Sequence, residues 1–500
     1  MSFDFSTTGM AVFAALMLVC LLSSKISSRL NMPCLLLFLA VGMLAGSEGI
    51  GNLKFDNAAV ANAIGTMAMA FILFSGGFDT EWKNIKPVFL TGGILSSFGV
   101  LLTALFTGIF AYFFLNWAWP NTSHSIQFSW CLLLGSIISS TDAAAVFSIL
   151  RSKSVSLQGN LQPLLEFESG SNDPMAAFLT IFMVNVVMTE VKTNQVLSLL
   201  NYWEILPEFL AKMAIGLVMG YIIGRLAVWL YNKIGFDYNG LYYALSIVVV
   251  LLAYSCTELA YGNGFMAVYV AGMVMGNRKF VFHNGVGRFY DGLAWIMQVV
   301  LFSMLGLLAF PSLVWKAKWI GLAVACFLML AARPLATFIG MWRSKFTLKE
   351  RTFVSWVGLR GGAPIMLATF PMMGGVPQAD LLFHIVFFIV LTSVLLQGMT
   401  IMPLAKLLKL DAPLRKTPLS PLALEETGDK NSDSREITVT QKCSGMTLAD
   451  LSLPDGALVL LIRRDDKFIV PRGDTELEVD DVLTVMGTPS AIQESMKKLA

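Results

Sequence analysis

Long apolar runs separated by short polar stretches fill the first 410 residues, at 10–23, 33–46, 60–78, 88–115, 129–150, 163–188 and 207–231, then at 239–257, 263–277, 290–310, 317–341, 352–372 and 382–404. A spanning helix needs about 20 mostly apolar residues, so the pattern predicts thirteen membrane helices, the shortest at 33–46 and 263–277. The pattern changes after Leu410. Residues 411–435 are rich in Pro, Ser and charge, lack an apolar period and read as a linker. Beyond them, runs at 436–441, 457–463 and 482–486 read as short strands with turns at 464–467 and 472–474, and 489–499 reads as a helix. The expected organisation is an all-α polytopic membrane domain over 1–410, a linker over 411–435 and a small α+β cytosolic domain over 436–500. A domain of that size is marginal alone, so it is expected to pair with a second copy or to continue in a longer chain.

Composition agrees with a bilayer as solvent. The chain is 56% hydrophobic and 14% charged, with a mean hydropathy of +0.69, whereas soluble domains carry about a quarter charged residues. A net charge of +2 from 35 basic and 33 acidic residues excludes a nucleic-acid partner as a compositional inference. The basic residues alternate along the chain. Lys25 and Arg29, Lys83 and Lys86, Arg151 and Lys153, Lys233, Arg278 with Lys279 and Arg288, Arg343 with Lys345, Lys349 and Arg351, and Lys406 with Lys409, Arg415 and Lys416 fall in every second inter-helix segment. Cytoplasmic loops are enriched in Lys and Arg, which predicts an outside N-terminus and a cytoplasmic C-terminus. Met1–Gly9 has no basic stretch ahead of its apolar run, so that run is expected to be a retained helix. The six cysteines form no CxxC pair and read as packing residues, and no cofactor is expected.

Charged side chains inside a bilayer cost roughly 2.5–3.5 kcal/mol each on insertion scales, so they mark function by default. The sixth predicted helix reads Glu166-Phe-Glu168-Ser169-Gly170-Ser-Asn172-Asp173-Pro174 before continuing apolar. At about 100° per residue, Glu168, Ser169, Asn172 and Asp173 share one arc of about 140°. Pro174 lacks the N–H that would bond the Gly170 carbonyl, which is thereby released next to Asp173. A carboxylate, a hydroxyl, an amide oxygen and a free carbonyl make a hard-oxygen site suited to a weakly polarising cation.

Two other helices are interrupted. The fifth carries Ser139-Ser140-Thr141-Asp142 within an apolar run, where side chains that compete for backbone hydrogen bonds favour unwinding. The twelfth carries Gly358-Leu-Arg360-Gly361-Gly362-Ala-Pro364. Irregular backbone at membrane depth is tolerated only where it is buried in protein or lines a water-filled cavity. The two interruptions are seven helices apart and cross the membrane in opposite directions, the signature of an inverted repeat in which helices 1–6 match 8–13. Facing half-helix ends leave uncompensated dipoles, which Asp142 would neutralise at N-terminal ends and Arg360 at C-terminal ends. Asp173 then has two exclusive jobs, pairing with a cation when ionised and releasing it when protonated. Burial raises a carboxylate's pKa and a nearby cation lowers it, so proton and cation compete, and one carboxylate favours one proton per monovalent cation.

These motifs resemble those of bacterial NhaP-type monovalent cation:proton antiporters, most closely the cell-volume-regulation protein A group of potassium/proton antiporters. The resemblance runs from Leu30-Asn-Met-Pro33, Gly42 and Gly46 to Gln397-Gly398. It implies an inner-membrane antiporter in which Asp173 is the shared carboxylate, Ser169 and Thr141 are ligands, and Asn172 and Asp142 hold the crossover. It also implies a buried Glu168–Arg360 ion pair, a homodimer and movement of one helical bundle against another. The sequence departs from many members at Ser75, where they carry a Glu, so neither potassium nor sodium is singled out by the motifs, although the closest group favours potassium. The tail resembles the C-terminal lobe of potassium-conductance regulator domains, implying a cytosolic small-molecule regulator. Such lobes also serve channels, which makes a tail-gated cation channel the competing class. The sequence holds no TVGYG-like filter, and with neither HExxH nor GxSxG an enzyme is not expected. Arg225 and Arg333, near run ends, are expected to snorkel; Gln397 is expected to pack between helices, and His124, His283 and His384 to lie in loops or interfaces.

Overall fold

The computed structural model describes residues 7–30, 33–55, 57–118, 127–152, 155–193, 205–413, 433–454, 456–464 and 467–499. His124 and most of the expected linker lie outside the described residues. The chain forms two compact units, one of Met1–Leu230, Tyr238–Arg278 and Phe289–Arg415, the other of Tyr231–Asp237, Lys279–Arg288 and Lys416–Ala500.

In the first unit α1 (Thr7–Leu30), α2 (Cys34–Ala45), α3 (Ala58–Phe78) and α4 (Phe89–Ala118) lead to α5 (Phe128–Ile137) and α6 (Ala143–Ser152), two halves of one broken helix. Strand β1 (Val155–Leu157) follows, then α7 (Leu161–Thr193), α8 (Ile205–Ile234), α9 (Gly240–Leu259), α10 (Gly264–Gly276), α11 (His283–Leu308) and α12 (Lys318–Gly340). A second broken helix, α13 (Leu348–Trp356) and α14 (Gly362–Gly374), precedes α15 (Ala379–Leu408). Among the described residues eight helices are long and apolar enough to cross a membrane. The predicted runs at 33–46 and 263–277 are α2 and α10. Both are short, and α10 packs tightly on α3, where a Cβ added at Gly272 or Gly276 would fall on the Phe74 or Phe78 backbone.

Helices α4 and α12 each contain a wide turn, at Leu95–Gly99 and at Leu328–Ala332. Each has a local cause. In α4 the hydroxyls of Ser96 and Ser97 donate to the Gly93 carbonyl at 3.3 and 2.5 Å and compete with the helical ladder. In α12 Pro334 cannot donate to the Leu330 carbonyl, and the chain widens just before it. The wide turn of α4 packs against the end of α12, and that of α12 packs against α4.

The sequence reading placed Asp411 at the start of a free linker. The structure corrects this, because Asp411–Pro413 forms β2, antiparallel to β1 in the connection between α6 and α7. The Gln158 N–H donates to the Leu410 carbonyl at 3.0 Å, extending the pairing.

In the second unit β3 (Asp433–Thr438), β4 (Ala457–Arg464), β5 (Lys467–Ile469) and β6 (Val482–Gly487) form an antiparallel sheet in the order β3-β6-β4-β5, followed by α16 (Pro489–Leu499). Strand β3 starts and ends three residues before the predicted run 436–441, because the chain turns tightly at Gln441–Cys443 and carries Cys443 into the core. Strand β5 was not expected; it closes a hairpin in which Arg464 faces Lys467. Ile437, Val439, Leu451, Ile462, Leu477, Leu483 and Val485 fill the core. Arg464 grips buried Asp481 with two bonds, Nε to Oδ1 at 2.9 Å and Nη2 to Oδ2 at 2.8 Å, a geometry that adds specificity to charge.

Candidate functional site

The two breaks meet. Residues 138–142 and 357–361 leave helical geometry, and the Asp142 N–H donates to the Leu359 carbonyl at 2.7 Å, one backbone bond joining the unwound segments. The remaining ends are satisfied by side chains, as backbone groups inside a membrane must be. Asp142 Oδ1 accepts from the Ala145 N–H at 3.0 Å and so caps the start of α6. Arg360 Nη1 donates to the Ser139 and Ser140 carbonyls at 2.7 and 2.5 Å, beyond the C-terminal end of α5. In the second break the Arg360 N–H donates to Ser393 Oγ at 3.1 Å, Ser393 donates to Gln397 Oε1 at 2.5 Å, and Gln397 Nε2 donates to the last carbonyl of α13, Trp356, at 2.8 Å. Gln397 therefore does pack between helices, and it also caps one.

Glycine is required at the crossing. A Cβ on Gly361 would coincide with the Asp142 carboxylate, and one on Gly358 would lie 2.7 Å from Arg333 Nε. Replacing Gly361 by Ala is expected to push Asp142 off the crossing and to lower exchange at least about tenfold while the protein still inserts. Transport rates normalised to membrane-resident protein check this.

Helix α7 runs beside the crossing. The Ser140 hydroxyl donates to Asp173 Oδ1. Ser169 Oγ donates to the Thr141 carbonyl at 2.9 Å and accepts the Ala143 N–H at 3.0 Å. Asn172 Nδ2 donates to Thr141 Oγ1 at 2.5 Å, and its buried Oδ1 has no partner among the described residues. Asp173, Asn172, Ser169, Thr141 and Asp142 are thus brought together as expected from the sequence. Gly170 lies on the same stretch, against the Tyr269 ring of α10. The oxygen atoms present fit a monovalent cation as substrate: the Asp173 carboxylate, the Ser169 and Thr141 hydroxyls, the Asn172 amide oxygen and the Gly170 carbonyl that Pro174 leaves unbonded.

One expectation fails. Glu168 does not pair with Arg360. Its Oε1 lies 2.5 Å from Arg333 Nη2, both side chains almost completely buried, while Arg360 is engaged by the carbonyls of the first break. Nor does Arg333 snorkel; it is 3% exposed and follows the wide turn of α12, which turns it inward. Among the described residues the Arg360 Nε and Nη2 have no hydrogen-bond partner.

Along α7, Gln162, Glu166, Ser169, Gly170 and Asp173 are partly exposed, and they fall in one arc of about 100°. Residues 174–180 beyond them are all buried. A face this polar is suited to line water or protein rather than lipid, and it ends at Asp173. Ser75 is buried in α3. His384 is buried on α15: its Nε2 accepts the Phe310 N–H at 3.3 Å, and its Nδ1 contacts the Asp380 carbonyl at 2.5 Å. His283 begins α11.

A family model described as sodium/hydrogen exchanger, transmembrane, matches residues 14–407, and a TrkA-C domain model matches 434–500. The K(+)/H(+) antiporter NhaP of Alkalimonas amylolytica is 36% identical over 479 residues, 95% of this chain and 80% of that protein. The K(+)/H(+) antiporter NhaP2 of Shewanella baltica is 35% identical, over 96% of this chain and 81% of that protein. The Na(+)/H(+) antiporter NhaP of Pseudomonas aeruginosa is 28% identical over 70% of this chain and 82% of that protein. The sodium proton antiporter MjNhaP1 of Methanocaldococcus jannaschii shares the fold, with a TM-score of 0.65 at 23% identity over 80% of this chain and 99% of that one.

Proposed function

The chain belongs to the sodium/hydrogen exchanger family, and we propose that it exchanges potassium for protons at Asp173, one for one, by alternating access. The observation that carries this reading is the charge around the crossing. Arg333, Arg360, Glu168, Asp142 and Asp173, all counted as ionised, leave one net negative charge. One proton or one monovalent cation neutralises it, and both together would leave a buried positive charge, which the membrane interior disfavours. Competition at one site couples the two ions without any further device.

Potassium is favoured by the names of the relatives that span this chain most fully. Eight long and five shorter apolar helices support thirteen spans. The paired breaks and paired wide turns support two inverted repeats joined by α8. The basic-residue alternation supports an outside N-terminus and a cytoplasmic C-terminus in the inner membrane. With that orientation the exposed face of α7 opens to the cytoplasm, an inward-facing state. The membrane domain is assigned to 1–410 together with the β2 pairing, the linker to the residues after it, and the TrkA-C tail to a regulatory role for a cytosolic small molecule. A homodimer is the proposed assembly.

The test is flux into proteoliposomes that hold both a pH dye and a membrane-potential dye. Adding potassium is expected to move protons in the opposite direction with no potential, and sodium to do so less. Cation entry that builds a potential without proton movement would instead establish the tail-gated channel.

A further inference from the structure

Ser140 is tied at both ends. Its carbonyl accepts from Arg360 Nη1 and its hydroxyl donates to Asp173 Oδ1, while the residue itself is 1% exposed. The backbone is therefore held from the second break, and among the described residues the hydroxyl's bond goes to Asp173. We infer that Ser140 is a positioning residue that holds one oxygen of the Asp173 carboxylate, leaves the other to face the transported cation, and thereby sets the affinity of the site for that cation. The inference rests on the reading that Asp173 is the exchange carboxylate.

The physical argument is orientation. A hydroxyl donor bonds strongly to a carboxylate oxygen, and one anchored through its own carbonyl holds that carboxylate in a single orientation, which lowers the cost of ordering ligands around an incoming ion. Ser169 and Thr141 cannot substitute for this bond. Ser169 donates its proton to the Thr141 carbonyl, and Thr141 Oγ1 is engaged by Asn172. The nearest charged groups of the crossing are Asp142 at the first break and Arg360 at the second, the latter on the Ser140 carbonyl. None of these contacts involves the Ser140 hydroxyl, so Ser140→Ala removes that hydroxyl while the backbone bond to Arg360 stays.

The experiment compares wild type, S140A, S140T and D173N in everted membrane vesicles, with exchange measured across cation concentration and pH and normalised to membrane-resident protein. In S140A the half-maximal cation concentration at fixed pH is expected to rise roughly ten- to a hundredfold, the loss associated with one hydrogen bond to a charged group. The maximal rate at saturating cation is expected to stay within about twofold, since the crossing itself is intact. S140T, which keeps the hydroxyl, is expected to hold the half-maximal cation concentration at wild type. A wild-type half-maximal concentration in S140A, the same shift in S140T, or a loss of maximal rate alone would overturn the assignment. Exchange persisting in D173N would overturn the reading beneath it, an outcome distinguishable from any of these.

Discussion

Glu168→Gln is expected to destabilise the protein by about 3–5 kcal/mol, because it leaves the Arg333 guanidinium charged and unpaired in a membrane interior. Both partners are buried and their contact is 2.5 Å. The Arg333 guanidinium lies close against Gly358 of the second break, and the residue is 3% exposed. A lower unfolding temperature in detergent, read by size-exclusion fluorescence, measures the effect. The reciprocal change, Arg333→Met, is expected to cost a similar amount by stranding Glu168. Glu168→Met combined with Arg333→Met removes both charges, and is expected to recover most of the lost stability, since a buried pair is often matched by well-packed apolar residues. Additive losses in the double variant would mean that the two side chains are not coupled, contradicting the pairing. Exchange by that stable double variant separates architecture from mechanism: retained exchange makes the pair structural, and lost exchange makes it part of the moving bundle's lock on α12.

Much of this arrangement was legible in the sequence, for reasons that differ from residue to residue. Asp173 stood out because four polar residues on one face of an apolar helix, followed by Pro174, have few structural explanations. The breaks stood out because Ser139–Asp142 and Gly358–Pro364 oppose helix formation inside runs that otherwise favour it. Their mutual contact, from the Asp142 N–H to the Leu359 carbonyl, was reached only through the inverted-repeat argument, since no local pattern encodes a pairing more than two hundred residues apart.

Arg333 was misplaced for a physical reason. A long side chain eight residues from the end of an apolar run is able to reach the interface, and a wheel drawn over α12 is wrong past Ala332, because the extra residue in the wide turn rotates everything after it by about 100°. Pro334 was the available signal. Ser140 was visible as part of a helix-weakening cluster, yet which of Ser139, Ser140 and Thr141 faces Asp173 depends on backbone that is not helical, where periodicity has no meaning. The β1–β2 pair was hidden because three-residue strands carry no period and the partner segments lie more than two hundred and fifty residues apart.

Asp173→Asn is expected to abolish exchange altogether. The amide is nearly the same size and still accepts from Ser140 through its oxygen, so the fold at the crossing should survive. What it loses is the single group able to alternate between a proton and a cation. The cluster of Arg333, Arg360, Glu168 and Asp142 is then already neutral and has no charge to offer either ion. The most direct measurement is dye dequenching in everted vesicles energised to an acid interior, with potassium and then sodium added to wild type and D173N at matched membrane levels. The account predicts cation-induced dequenching in the wild type and none in the variant with either salt at any pH from 6 to 9. Dequenching in D173N at the wild-type rate would contradict it, because exchange would then be running without the carboxylate at which the two ions are held to compete.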